Sequence, residues 1–243
     1  MLAALAAACG GGSKQQQEAS APAVAKPAPP PIDPATVGSI TGTVTLDGKP
    51  PAAQPIKTKS DPNCHQALHT ETYMVGAGGT LGNVFVYVKD GLGNRVFPAP
   101  DKAVVLDQRD CHYMPHVFGI QVGQTLEILN SDPTLHNIHF IPDANREFNM
   151  GEPIQGMRQP HVFSVKEVLI PIKCDVHNWM NAYVGVVDNP FYAVTGADGT
   201  FTLTGLPPGT YTIEAVHEKL GKQTQTVTIG PKDTKNTAFT FKI

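Results

Sequence analysis

The feature that most constrains this chain is a succession of short runs in which β-branched or aromatic residues recur, each run closed by Gly, Pro, Asn or Asp. Beyond Val37 these are "SITGTVTL", "NVFVYVK", "AVVLDQ", "FGIQV", "TLEILN", "NIHFI", "EVLIPIK", "AYVGVVD", "TFTLTGL", "TYTIEAV", "QTVTI" and "NTAFTFKI". Successive side chains of a strand point to opposite faces, so two-residue alternation over short, closely spaced runs predicts sandwiches and not a helical bundle. The predicted class is all-β. A length of 243 residues allows one large domain, or a medium domain with a smaller one.

Lys and Arg number 18 against 21 Asp and Glu, a net charge of 18 − 21 = −3. No basic run occurs, so the electrostatic footprint of a nucleic-acid binder is missing. Much of the proline lies in the first 36 residues and in the turns of the β-rich body. The opening "MLAALAAACGGGSKQQQ" resembles the end of a bacterial lipoprotein signal peptide over residues 1–9, with Ala6, Ala7 and Ala8 before Cys9. In that family the cysteine becomes the lipidated first residue, which makes Cys9 the expected lipid anchor; the alternative is a plain Ala-rich tail. Residues 10–36 are rich in Gly, Ser, Gln, Ala and Pro and cannot bury enough apolar surface to offset the entropy of ordering. They are expected to form a disordered tether, roughly 80 Å long as polyproline II.

The chain changes character near Asp188 to Phe191. Asp198-Gly199 makes a turn, Phe201 and Leu203 alternate inward, Pro207-Pro208-Gly209 turns again, and Tyr211 and Ile213 resume the alternation. This series resembles the carboxypeptidase regulatory-like (transthyretin-like) β-sandwich module. The resulting division is a larger domain over 37–189, with an N-terminal β extension, and a C-terminal module over 190–243. About 50 residues make a marginal core alone. The early strand "GSITGTVTLDGKPP" is similar to the first strand of the same family, and if it joins the module the larger domain becomes an insertion.

The chemistry concentrates in "KCDVHNWM", where Cys174, His177 and Met180 have C-x2-H-x2-M spacing. Cys174 ends an apolar run and Met180 precedes another, so a short interstrand loop can turn all three toward one point. A stable site needs at least three strong ligands, and a thioether is a weak one. The further donor is sought in "VFGIQVGQTLEILNSDPTLHNIHF". A strand with V-G-Q-x-L-x-I-x-N, a loop through Asn130-Ser131-Asp132-Pro133, then H-N-I-H-F and later C-x2-H-x2-M, resembles a cupredoxin, the type 1 or blue copper fold. The short ligand loop is most similar to that of amicyanin.

The resemblance covers roughly residues 80–188. It implies a Greek-key β-sandwich in which His136 and His177 are imidazole ligands, Cys174 the thiolate and Met180 the axial thioether. Asn137 matches the residue that ties the loop, and Asn178 stands where a Pro is common. Independently, two His, one Cys and a distant Met suit copper cycling between Cu(II) and Cu(I), whereas zinc gains little from Met. His139 is the rival of His136; two-residue alternation puts it on the opposite face.

With Cys9 and Cys174 so used, Cys64 in "DPNCHQALH" and Cys111 in "DQRDCHYMPH" are left as a disulfide pair. The alternative is a second metal site with His65, His112 and His116. His69, His161 and His217 have no partners at ligand spacing. The expected function is one-electron transfer by a single type 1 copper, in an exported lipoprotein facing the periplasm or cell exterior and held at the membrane by its lipid alone. His177 is the expected electron gate, with Asn178 and Trp179 as a docking patch for a transient protein redox partner. A copper carrier or sensor, and a non-redox binding sandwich, are the alternatives. No catalytic residues are expected, and the H-C-H motif that wires a type 1 site to a trinuclear cluster is absent.

Overall fold

Alternating runs become strands because each can bury one face, and the run "NVFVYVK" buries two. In a computed structural model of the protein, Met1 and residues 30–243 are described, so Cys9 and most of the expected tether lie outside the described residues. Two strands come first, β1 (Gly38–Asp47) and β2 (Phe85–Asp90). Nine follow: β3 (Val104–Arg109), β4 (His112–Met114), β5 (Val117–Gln121), β6 (Thr125–Asn130), β7 (His136–Phe140), β8 (Phe148–Glu152), β9 (Arg158–Val162), β10 (Glu167–Lys173) and β11 (Asn181–Val187). The last are β12 (Tyr192–Val194), β13 (Thr200–Leu206), β14 (Gly209–His217), β15 (Gly221–Ile229) and β16 (Thr234–Lys242). No helix among the described residues is long and apolar enough to cross a membrane.

The fold is all-β, as the alternation predicts, but its sheets cut across the 37–189 and 190–243 division. One sheet has the order β13-β1-β16 and a second β12-β2-β14-β15. β1 runs antiparallel to β13 and parallel to β16, in register from Ser39↔Thr234 to Asp47↔Lys242. Among the described residues it is the only strand joining those two, so residues 190–243 do not build this sheet unaided. β1 and β2 therefore belong to the C-terminal module, and the intervening unit is an insertion between β2 and β12. The inserted unit is a second sandwich, with sheets ordered β5-β11-β10-β7-β8 and β4-β3-β6-β9. Consecutive strands β4 and β5 lie in different sheets, and Leu106, Ile128, Phe140, Ile172 and Val184 fill the space between them.

Alternation on β2 joins the two sandwiches. Val84, Val86 and Val88 enter the module core with Phe201 and Phe239. Phe85 and Tyr87 face the other way, against Val117 and Val187 of the insertion. A strand buried on both faces reads as a continuous apolar run, which is why it passes for a cupredoxin core strand. Gly119 and Gly185 sit opposite each other on β5 and β11 and form the shelf that receives these rings. A Cβ on Gly119 would lie 2.4 Å from the Tyr192 ring, and one on Gly185 2.5 Å from the Phe85 ring. Gly185→Ala should therefore cost about 1–3 kcal/mol by overpacking, read as a drop in the denaturant midpoint; an unchanged midpoint would show that the shelf can give way.

A buried ion pair spans the same junction. His116 Nδ1 donates to Asn181 O at 3.2 Å and Nε2 to Glu218 Oε1 at 2.8 Å. Both acceptors lack protons to give, so the ring holds two. Burial lowers the His116 pKa, but Glu218, the nearby Glu71 charge and the Asn181 carbonyl outweigh it and the net shift is upward. Burial raises that of Glu218, but His116 and Tyr183 outweigh it and the net shift is downward. The histidine contributes stability below its ordinary 6.5 and loses it as pH rises through the elevated value. The glutamate contributes above its ordinary 4.5 and loses it as pH falls through the depressed value. The Tm difference between wild type and Glu218→Gln should thus be largest between pH 4.5 and 6.5 and shrink on both sides; a pH-independent difference would refute the pairing.

Candidate metal centre

The loop that carries Cys174 is shaped by its own backbone. β10 and β11 pair antiparallel up to Lys173↔Asn181, which closes residues 174–180 into a tight connection. Within it Cys174 N–H donates to Met180 O at 3.2 Å and Met180 N–H to His177 O at 2.9 Å. The His177 N–H donates to Cys174 Sγ at 3.3 Å, so the loop wraps around its sulfur. The other imidazole comes from the adjacent strand, where His136 is the first residue of β7. β7 pairs with β10 at Ile172↔Phe140 and Lys173↔His139. Asn137 Oδ1 accepts the Asp175 N–H and ties strand to loop.

These elements bring His136, Cys174 and His177 together, with one donor atom from each lying within 4.8 Å of the others. His136 Nδ1 and His177 Nδ1 are 3.0 Å apart, and Cys174 Sγ is 3.9 Å from His177 Nδ1. All three are buried, and Met180 is buried in the same apolar cluster as Cys174. His139 is elsewhere, held between Asp175 Oδ2 at 2.9 Å and Glu147 Oε1 at 2.8 Å. Burial pushes the Cys174 thiol up, but hydrogen bonds from His136 and the His177, Asn137 and Val176 backbones outweigh it and lower its pKa. Burial also disfavours a charged His136, yet its bond to Asp132 and the nearby Cys174 push it up to about 9. His177 is lowered, chiefly by burial.

The outer ring nitrogens are equally committed. His136 Nε2 meets Asp132 Oδ2 at 2.8 Å and His177 Nε2 meets Asp61 Oδ2 at 3.0 Å. A carboxylate on the far nitrogen fixes ring orientation and raises ligand basicity. Asp132 is held by the Asp110 and Cys111 N–H groups, each at 2.8 Å. The Thr134 hydroxyl and the Asn63 N–H keep the Asp61 carboxyl down at about 2. Reading ligand spacing alone misses both aspartates, although Asp132 lies in the quoted "NSDP" turn and Asp61 three residues before Cys64.

Asp61 belongs to an irregular strap, residues 55–70, that covers the loop. The strap is stapled by a disulfide between Cys64 and Cys111, with a Cα–Cα distance of 5.5 Å and a separation of 47 residues. Cys64 Sγ lies 3.9 Å from His177 Nε2. His177 is consequently only 3% exposed, which corrects the expectation of a gate near the surface. The partly exposed neighbour is Trp179, whose ring centroid is 5.0 Å from that of His177 and whose Nε1 donates to Cys111 O at 3.1 Å. His112 and His116 are engaged by Glu71 and Glu218, and His65 is exposed. His161 packs among Phe140, Phe148 and Phe163, and His217 stacks on Tyr73.

The donor set fits copper: two inner imidazole nitrogens and a hydrogen-bonded sulfur converge in a buried spot, and the carboxylates face away from that spot. Removing the staple by Cys64→Ser should cost about 4 kcal/mol of stability from loop entropy alone, measured by denaturant unfolding; a loss below about 1 kcal/mol would mean that the strap constrains the unfolded chain little.

Comparison with known proteins adds the following. The carboxypeptidase regulatory-like domain matches residues 180–242. No curated protein matches the chain. Among solved structures it is similar to a Cu-containing nitrite reductase from Thermus scotoductus, at 19% identity and TM-score 0.34, over 39% of this chain and 26% of that one. It is similar to a Cu(I) amicyanin mutant at 20% identity and TM-score 0.32, over 42% of this chain and 97% of that one. A purple cupredoxin from Nitrosopumilus maritimus gives 27% identity and TM-score 0.30, over 35% and 99%. The chain thus spans about a quarter of the reductase and nearly all of the other two.

Proposed function

We propose that this protein is a type 1 copper protein that transfers single electrons between protein partners and catalyses no substrate reaction. The observation that carries the reading is the convergence of His136 Nδ1, His177 Nδ1 and Cys174 Sγ in one sealed spot, with Met180 buried beside them. Bound there, copper supplies a one-electron Cu(II)/Cu(I) couple. The chain's own residues do the rest. Asp132 and Asp61 keep both rings turned inward, and the His177 N–H stabilises the thiolate without competing for a proton. The backbone bonds of the 174–180 loop keep Met180 from drifting, so the donors need little rearrangement between oxidation states. The strap excludes water. Because His177 is covered, the electron leaves or enters beside it, at Trp179, with exposed Asn178 completing a small patch for a transient redox partner.

The remaining parts of the proposal concern place. The Ala-rich start ending in Cys9 and the Pro-rich residues after it support an exported lipoprotein whose body hangs from a membrane by a tether. A structural disulfide suits that oxidising side of the membrane.

The test is the visible spectrum of the full chain after addition of Cu(II). An intense thiolate-to-copper band with one copper per chain is expected, and Cys174→Ser should abolish it. Met180→Leu should keep the copper and shift the reduction potential upward or downward by a measurable amount in voltammetry. A colourless wild type, or a band that survives in Cys174→Ser, would contradict the reading.

A further inference from the structure

The Cys64–Cys111 disulfide is seated against the outer edges of the two imidazoles and not at a distance from the site. The two sulfurs and a donor atom of His177 all lie within 4.8 Å of one another, and so do donor atoms of Cys111, Asp132 and His136. The nitrogen of His177 nearest Cys64 is Nε2, the one turned away from Cys174. The ring therefore stands between two sulfur environments.

The backbone is strained to put one of these sulfurs there. Asp110 and Cys111 form the two-residue connection between β3 and β4, and both have positive φ, 56° each. Such turns favour Asn and Gly, and a side chain in this conformation costs on the order of 1 kcal/mol. The Asp132 carboxylate holds both N–H groups of the turn while also holding His136. The other sulfur is on a weakly held element. Of residues 55–70 only Thr58 and Cys64 are buried. Apart from the disulfide, the side-chain hydrogen bonds from this strap to the 130s and 170s are those of Asp61 to Thr134 and His177.

We propose that Cys64 and Cys111 are a redox-gated soft-metal site: in the reduced protein their two thiolates bind one Cu(I) beside Nε2 of His177. The gate opens by thiol–disulfide exchange. An external dithiol gives two electrons and two protons to the protein disulfide, which becomes two thiols, and is itself oxidised to a disulfide. Cu(I) then displaces the two thiol protons. Thiolate sulfur suits Cu(I), as it also suits zinc and Fe–S clusters, and His177 Nε2 stays on Asp61 at 3.0 Å without bonding the metal. The pair does not need the Cys174 centre; the two flank opposite edges of the His177 ring.

The probe is Cu(I) itself, titrated anaerobically into the full chain against a chromophoric Cu(I) chelator, before and after treatment with dithiothreitol followed by its removal. Reduction is expected to add one equivalent of Cu(I) to wild type and to add none to Cys64→Ser or Cys111→Ser. Because those variants lose the staple, the decisive chain is Cys174→Ser, whose strap is intact. It should gain the same one equivalent on reduction while lacking the visible band of the Cu(II) form. If that variant keeps its band, the type 1 reading fails and this proposal stands. No gain on reduction, a gain that persists in folded Cys64→Ser, or a disulfide that dithiothreitol cannot open in the folded protein overturns the proposal.

Discussion

The paired carboxylates behind the imidazoles are the contacts on which the site depends. Asp132 reaches His136 from the turn before β7, and Asp61 reaches His177 from the strap. Each turns an imidazole so that its inner nitrogen faces Cys174, and neither ring could be held by the 174–180 loop alone, which supplies its own hydrogen bonds to the sulfur and to Met180. Asp132 is itself anchored by the N–H groups of Asp110 and Cys111, so the turn that positions a carboxylate also positions the disulfide. Ring orientation, thiolate stabilisation and closure of the site are thus three consequences of one hydrogen-bonded layer.

That layer needs a scaffold whose ends are fixed, and the insertion provides it. β5 and β11 present Gly119 and Gly185 to Phe85 and Tyr192, while His116 and Glu218 close the far side of the same junction. The β3 to β11 sandwich is therefore clamped at both of its chain connections, after β2 and before β12. The strap leaves the module after β1 and crosses to the insertion before returning to β2, so the module supplies the segment that covers the candidate site.

Much of this was legible in the sequence. Periodicity gave the all-β class, and the C-x2-H-x2-M loop with His136 pointed to the side chains that converge at the candidate site, because strand-end residues around a short loop have few directions to point. What escaped was contact information. β8 and β9 carry Gly151 and Pro160 and lie at sheet edges, where alternation is weak. The membership of β1 and β2 is decided by pairing with strands more than a hundred residues away, which a local pattern cannot express. The burial of His177 follows from a strap without periodicity, residues 55–70, in which Asp61 stands three residues before Cys64. His139 against His136 shows the opposite case: two-residue alternation separated them because β7 is regular there.

The most direct measurement of the central claim is a crystal structure of the copper-loaded protein with anomalous data collected at the copper edge. The account predicts a single strong peak bonded by His136 Nδ1, His177 Nδ1 and Cys174 Sγ, with Met180 as the more distant neighbour and Asp61 and Asp132 still on the outer nitrogens. A peak that lies instead on His139, on the His112 and Glu71 pair, or on the carboxylates of Asp61 or Asp132 would contradict it.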